Sequence, residues 1–209
     1  GSGTALSASW QFVGGLDSGV TWPYEYDSAD SNSTSGSTNP NVFSIKEAWT
    51  KHFSNAEQID VNVLIAGGAG ELIAKHVADL AENRKDCVAF VSPPASTVRT
   101  GIHTDPAQDA TFAGYSGPSD IISWRQNTLN VNSSYVVIDS GWKMIYDSYN
   151  DKNRWIPLNS DVAGLAVETE NSNGPWFSPA GFNRGRIRNV IKLSMNPTKV
   201  QRDELYSNG

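Results

Sequence analysis

A mixed α/β fold follows from three features of this 209-residue chain. An apolar run at 61–66 (VNVLIA) is separated from another at 87–91 (CVAFV) by a glycine-rich turn and a segment with Leu72, Ile73, His76, Val77 and Leu80 on one helical face. Strand, helix and strand in that order make a βαβ unit with parallel strands and a right-handed crossover. Two further apolar stretches, 135–139 (YVVID) and 142–146 (WKMIY), flank Ser140-Gly141 and read as a hairpin with a two-residue turn. Helix signals surround these strands. The predicted architecture is therefore a mixed sheet holding the parallel unit (strands at about 61–66 and 87–91), the hairpin at 135–146 and flanking helices.

Taken in order, residues 8–13 (ASWQFV) have the aromatic and β-branched mix of a strand, ended by the turn Gly14-Gly15-Leu16-Asp17-Ser18-Gly19. Residues 21–41 are Ser, Asn, Asp, Gly and Thr behind Trp22, Tyr24 and Tyr26, a long surface loop with its first turn pinned by aromatics. Ser44 and Glu47 form a capping box that predicts a helix over 45–53. Pro118-Ser119-Asp120 opens another through Ile121, Ile122, Trp124 and Arg125. Trp155 and Pro157 precede a short helix that starts at Ser160 or Asp161 and carries Val162, Ala163, Leu165 and Ala166. Residues 186–193 read as a strand, and Thr198 with Gln201 caps a last helix. No repeat divides the chain, which is expected to be a single domain over 1–209 with an excursion at about 18–41.

A chain of this length buries roughly 70% of its extended-chain surface, so it needs no covalent staples. Hydrophobic content of 38% and seven each of Trp, Tyr and Phe argue for a folded core. No apolar run approaches the roughly 20 residues of a membrane helix. Cys87 is the only cysteine, which rules out an intrachain disulfide and points to a reducing compartment. The sequons at Asn32 and Asn132 are then chance matches. Net charge is −6, unevenly spread: residues 1–100 hold six basic and eleven acidic side chains, residues 101–209 ten and eleven. Overall acidity disfavours nucleic acid as a direct partner.

Enzyme-like signals are sparse. Gly67-Gly68-Ala69-Gly70, between strand and helix, places backbone amides where a phosphate binds. However, Ile73 stands where a dinucleotide fingerprint needs its third small residue, and no Lys-Ser/Thr completes a P-loop. An α/β enzyme or nucleotide-binding domain using the Gly67–Gly70 turn is the alternative reading. His52, His76 and His103 have no metal spacing, and His76 suits a hydrogen-bonded core position. His103-Thr104-Asp105 lacks a nucleophile, and residues 147–153 lack the glycine and terminal Glu of a calcium loop. No catalytic residue, cofactor or metal is predicted. Residues 171–201 contain no acid, against Arg184, Arg186, Arg188, Lys192 and Lys199. In a strand, Ile187, Ile191 and Leu193 face the core while Arg184, Arg186, Arg188 and Lys192 face out. That basic face either protects an edge or docks on an acidic surface, such as another copy of this acidic chain.

Residues 151–185 (DKNRWIPLNSDVAGLAVETENSNGPWFSPAGFNRG) combine Arg154, Pro157, Val162-Ala163-Gly164-Leu165 and Gly174-Pro175-Trp176-Phe177-Ser178-Pro179-Ala180-Gly181, followed by Gly185. This ordered set resembles the sheath proteins of contractile phage tails and related injection machines. Weaker matches are Gly14-Gly15-Leu16-Asp17 and Leu205-Tyr206-Ser207-Asn208-Gly209. The resemblance implies a non-enzymatic structural subunit, with Arg154, Pro157, Val162, Ala163, Gly164, Gly174, Trp176, Pro179 and Gly181 as structural motif residues. It implies stacked rings of identical copies around a tail tube protein, baseplate and tail terminator partners, and no membrane partner. The setting it implies is the virion tail, assembled in the bacterial host cytoplasm. The opening Gly1-Ser2-Gly3 reads as a cut end, so terminal arms and a C-terminal assembly domain are expected to be missing and the isolated chain to be monomeric.

Overall fold

The computed structural model describes residues 40–93, 117–149 and 151–208. The strand predicted at 8–13, nearly all of the excursion at 18–41, and His103 lie outside the described residues. Two three-stranded sheets form the frame, one parallel and one antiparallel. This is the mixed α/β class read from the sequence, divided between two sheets instead of held in one.

Helix α1 (Pro40–Phe53) leads to strand β1 (Val63–Ile65), helix α2 (Glu71–Arg84) and strand β2 (Val88–Val91). Pairing of Leu64 with Ala89 in parallel register completes the βαβ unit. Its cause is visible in the burial: Ile73, Val77, Leu80 and Ala81 of α2 pack on Leu64 and Ala89, each large apolar side chain contributing about 1.5–3 kcal/mol of burial. Trp49 and Phe53 of α1 pack against the same cluster. Helix α1 begins at Pro40, so Ser44 lies inside it and the capping box expected at Ser44 and Glu47 does not start the helix. The main chain turns out of α2 at Lys85, whose φ is 61°.

Helix α3 (Pro118–Ser123) continues into a π-helical turn (Trp124–Leu129) and then strand β3 (Val136–Ile138). The predicted hairpin over 135–146 is not formed. Strand β3 instead pairs in parallel with β2, Phe90 opposite Val137, and the ladder runs on through Asp139 N–H to Val91 O at 3.1 Å. Ser140-Gly141 then carries the chain across to the other sheet, because Gly141 N–H is taken by the Asp139 carboxylate (2.8 Å) and Trp142 N–H by Ser194 Oγ (2.8 Å).

The actual hairpin is one element later. Strand β4 (Trp142–Asp147) pairs antiparallel with β5 (Lys152–Pro157), Met144 opposite Trp155. Trp142, Met144 and Trp155 form a core with Ile121 and Met195. The connection turns through Asp151 at φ 53°, and Arg154 Nε binds Asp147 Oδ2 across it at 2.6 Å. Helix α4 (Asn159–Asn173) follows and packs against β1 and β2. Strand β6 (Lys192–Leu193) adds to the other side of β4. The strand expected over 186–193 is thus confined to its last two residues, because Asn189 at φ 54° breaks the extended backbone before them.

Helix α5 (Lys199–Ser207) closes the described chain, and its capping box is formed as read: Thr198 Oγ1 accepts from Gln201 N–H while Gln201 Oε1 accepts from Thr198 N–H. No residue of α5 is buried, so the cap supplies a large share of what holds its first turn. Thr198→Ala is expected to cost about 1 kcal/mol in urea unfolding; an unchanged midpoint would show that α5 is held by other contacts.

Candidate assembly surface

The two sheets meet at the carboxyl ends of β1, β2 and β3. Asn159, fully buried at the start of α4, donates from Nδ2 to Gly67 O (2.6 Å) and from its main-chain N–H to Ser92 Oγ (3.1 Å). Ser92 Oγ donates in turn to Asp139 Oδ2 at 2.5 Å. Trp142 Nε1 donates to Pro93 O at 2.8 Å. Ligands of open α/β sheets bind in the crevice beyond the carboxyl ends of the strands. Here the first residues of α4 stand at that crevice, and Asn159 takes the carbonyl of the Gly67–Gly70 turn. The alternative nucleotide site therefore finds no support in the geometry.

Asp139 is strongly perturbed. Burial pushes its carboxyl up to about 7, against the opposing pull of the Ser92 and Gly141 hydrogen bonds, and the negative charge of Asp161 adds to the rise. Beside it, Lys143 is buried in β4 and donates to Asp161 Oδ1 (2.7 Å) and to Arg188 O (3.0 Å). Lys143 thus ties sheet, helix α4 and the basic segment together. His76 pairs with Thr50 Oγ1 at 3.0 Å between α2 and α1. Burial and neighbouring Lys46 lower its pKa, which keeps it neutral as expected of a structural histidine. Among the described residues no cluster of side chains suits a metal ion, and no helix is long and apolar enough to cross a membrane.

The sequence motif does not converge on one point. Arg154, Pro157 and Ala163 belong to the frame: Pro157 lies opposite Trp142 in the sheet and Ala163 is buried. Val162 is half-buried, and a Cβ at Gly164 meets nothing within 4 Å, so space does not demand glycine there. Gly174, Trp176, Pro179 and Gly181 shape the exposed loop between α4 and β6. Gly174 takes φ 100°, and a Cβ there would lie 2.8 Å from the Trp176 ring that folds over it. Gly181 takes φ 125°, and Gly185 N–H returns to Gly181 O at 2.8 Å.

The basic segment follows from this loop. Arg184, Arg186, Arg188 and Lys192 are all exposed; Lys192 belongs to β6, whereas loop geometry and not strand pleat turns the three arginines outward. Arg184 lies 5.5 Å from the Phe177 ring centroid and donates to Ser178 O. Arg188 reaches Glu168 of α4 at 3.1 Å with both side chains largely in solvent, a pair worth at most about 1 kcal/mol. Large apolar side chains stand beside these charges: Trp176 is 80% exposed, Phe182 fully so, and Ile191 57%. Sequence reasoning missed Ser92, Lys143 and Asn159, although a lysine inside the apolar run WKMIY was a detectable signal of a buried ion pair.

Exposed aromatic side chains thus stand next to an acid-free basic run in the loop between α4 and β6. The model of the phage tail sheath protein central domain matches residues 45–209. The tail sheath protein of Enterobacteria phage T4 is 41% identical over 176 residues, covering 78% of this chain and 25% of the relative. That of Vibrio phage KVP40 is 37% identical over 179 residues, 75% of this chain and 24% of the relative. That of Salmonella phage ViI is 33% identical over 157 residues, 74% of this chain and 22% of the relative. The chain spans about a quarter of the length of these relatives, and with the central-domain model covering most of it, this chain belongs to the phage tail sheath protein family.

Proposed function

We propose that this chain is the central part of a structural subunit that polymerises in stacked rings around a tail tube and contracts to drive the tube through the host envelope. The family match is the observation that carries this reading. In it, subunits shift as nearly rigid bodies from an extended to a contracted lattice when the baseplate triggers them, and many small releases of free energy add up. The buried Asn159 and Lys143 connections suit that role, since they join both sheets and α4 into a unit that moves without deforming. Tube, baseplate and tail terminator proteins are the partners of this reading, the virion tail is its location, and the host cytoplasm is where it is assembled.

Within it, Arg184, Arg186, Arg188 and Lys192 contact acidic surface on neighbouring subunits. Reversing Arg186 and Arg188 to Glu in the complete protein is expected to slow assembly at least tenfold, followed by light scattering, with circular dichroism and melting temperature unchanged. Assembly at the wild-type rate would leave these charges as mere guards of the sheet edge.

A further inference from the structure

Arg125 stands in the π-helical turn after α3, where Asn130 N–H reaches back five residues to Arg125 O at 2.8 Å. Such turns are rare and occur frequently at functional sites. The side chain is half-buried, its Nε is buried without a hydrogen-bond partner, and among the described residues the guanidinium joins no ion pair. A buried charged donor left without an acceptor is costly, so an acceptor supplied from outside the chain gains more here than at an exposed arginine.

The same arginine lines a cavity of about 230 Å³ at the carboxyl end of β3, between α3 and α5. Ile121, Ile122, Ile138 and Leu205 make most of its wall apolar, and Ser140 adds a hydroxyl. Among the described residues the one carboxyl in the wall is Asp139, which burial keeps protonated up to about pH 7 and whose two oxygens are engaged by Ser92 Oγ and Gly141 N–H. Asp120 on α3 and Lys199, Arg202, Asp203 and Glu204 on α5 are exposed and do not line it. Below about pH 7 the cavity therefore presents one positive charge inside an apolar shell.

We propose that this cavity binds a small organic monocarboxylate with a compact apolar body, held by Arg125. Guanidinium and carboxylate match as planar forks, and the Ser140 hydroxyl can give a further hydrogen bond. The volume lies below the roughly 300–1,000 Å³ of pockets for drug-sized molecules, which limits the ligand to about the size of a short branched acid or a single aromatic ring. A phosphate ester fits less well, since its charge of nearly two would face a single cation. No residue of α5 is buried, so a ligand seated between α3 and α5 adds contacts that this helix lacks and holds it against the frame. The site is independent of the lattice role proposed above.

Benzoate tests it, titrated into the complete protein before assembly at pH 6, where Asp139 keeps its proton. Ligand-observed magnetic resonance should show saturable binding, and hydrogen exchange should slow in α5 and in the π-helical turn. Benzyl alcohol has the ring without the charge, acetate has the charge without the ring, and phenyl phosphate has the wrong charge; each should bind at least tenfold more weakly. Arg125→Gln should lose at least tenfold in benzoate affinity with its melting temperature held. Ile122→Phe narrows the cavity from α3 while keeping Arg125, and it should lose as much, which covers the case of Arg125→Gln failing to fold. No saturation by about 10 mM benzoate, equal affinity for benzyl alcohol or phenyl phosphate, unchanged exchange in α5, or full affinity in a folded variant overturns the site.

Discussion

Asp161→Ala should destabilise the chain by about 3–5 kcal/mol, the cost of leaving a buried partner charge uncompensated. Lys143 is nearly inaccessible in β4, and Asp161 in the first turn of α4 is its only ion-pair partner among the described residues. Without that carboxylate the ammonium keeps only Arg188 O. The loss should be largest for the parts Lys143 joins, so hydrogen exchange ought to rise first in α4 and in the main chain around Arg188. Adding Lys143→Met to Asp161→Ala removes the stranded charge and should recover much of the loss, because an apolar side chain of similar length fits a buried site. Equal urea midpoints for Asp161→Ala and the wild type would show that Lys143 finds water or another acceptor, and that the pair does not brace the joint.

That joint marks where sequence reasoning stopped. The βαβ unit was legible because 61–66 and 87–91 are short apolar runs around an amphipathic helix, a pattern with one economical solution. The last helix was legible from Thr198 and Gln201 alone. Strand β5 was not, since Trp155 is the single deeply buried side chain between Asn153 and Pro157 and the strand ends in a proline that normally argues against one. The hairpin was misplaced because local pattern cannot say which neighbour a strand chooses. Val136–Ile138 reaches past the adjacent Trp142–Asp147 to β2, where it helps bury Val91 and Trp124. Among the surface residues, outward-facing arginines were identified correctly but for a pleat that Asn189 and the Gly181 to Gly185 turn interrupt. The family motif was recognisable as a string, yet its division into frame residues and an exposed loop depends on long-range packing that no spacing encodes.

The same joint should make stability depend on pH in the opposite sense to ordinary acid denaturation. Asp139 has its carboxyl raised from 3.8 to about 7 by burial. Below about pH 4 it is protonated in both the folded and unfolded chain and imposes no penalty. Between about pH 4 and 7 the unfolded chain ionises while the folded one keeps its proton, so the folded state binds more protons and stability falls as pH rises, by about 1.4 kcal/mol per unit. Above pH 7 both forms are ionised and the accumulated penalty, about 4 kcal/mol, stays constant. Carboxylates such as Asp86, lowered by its bond to Arg84, have the ordinary opposite slope at lower pH, so the contribution of Asp139 must be read as a difference. Asp139→Asn keeps the shape and a carbonyl for Gly141 N–H but cannot ionise. Its urea-unfolding free energy, measured beside the wild type at pH 4.5, 6 and 7.5, should gain on the wild type steadily with rising pH, the gap growing by about 3 kcal/mol over that range. Two parallel curves would mean that the Ser92 and Gly141 hydrogen bonds and surrounding water outweigh burial, and that Asp139 is an ordinary ionised carboxylate at the sheet junction.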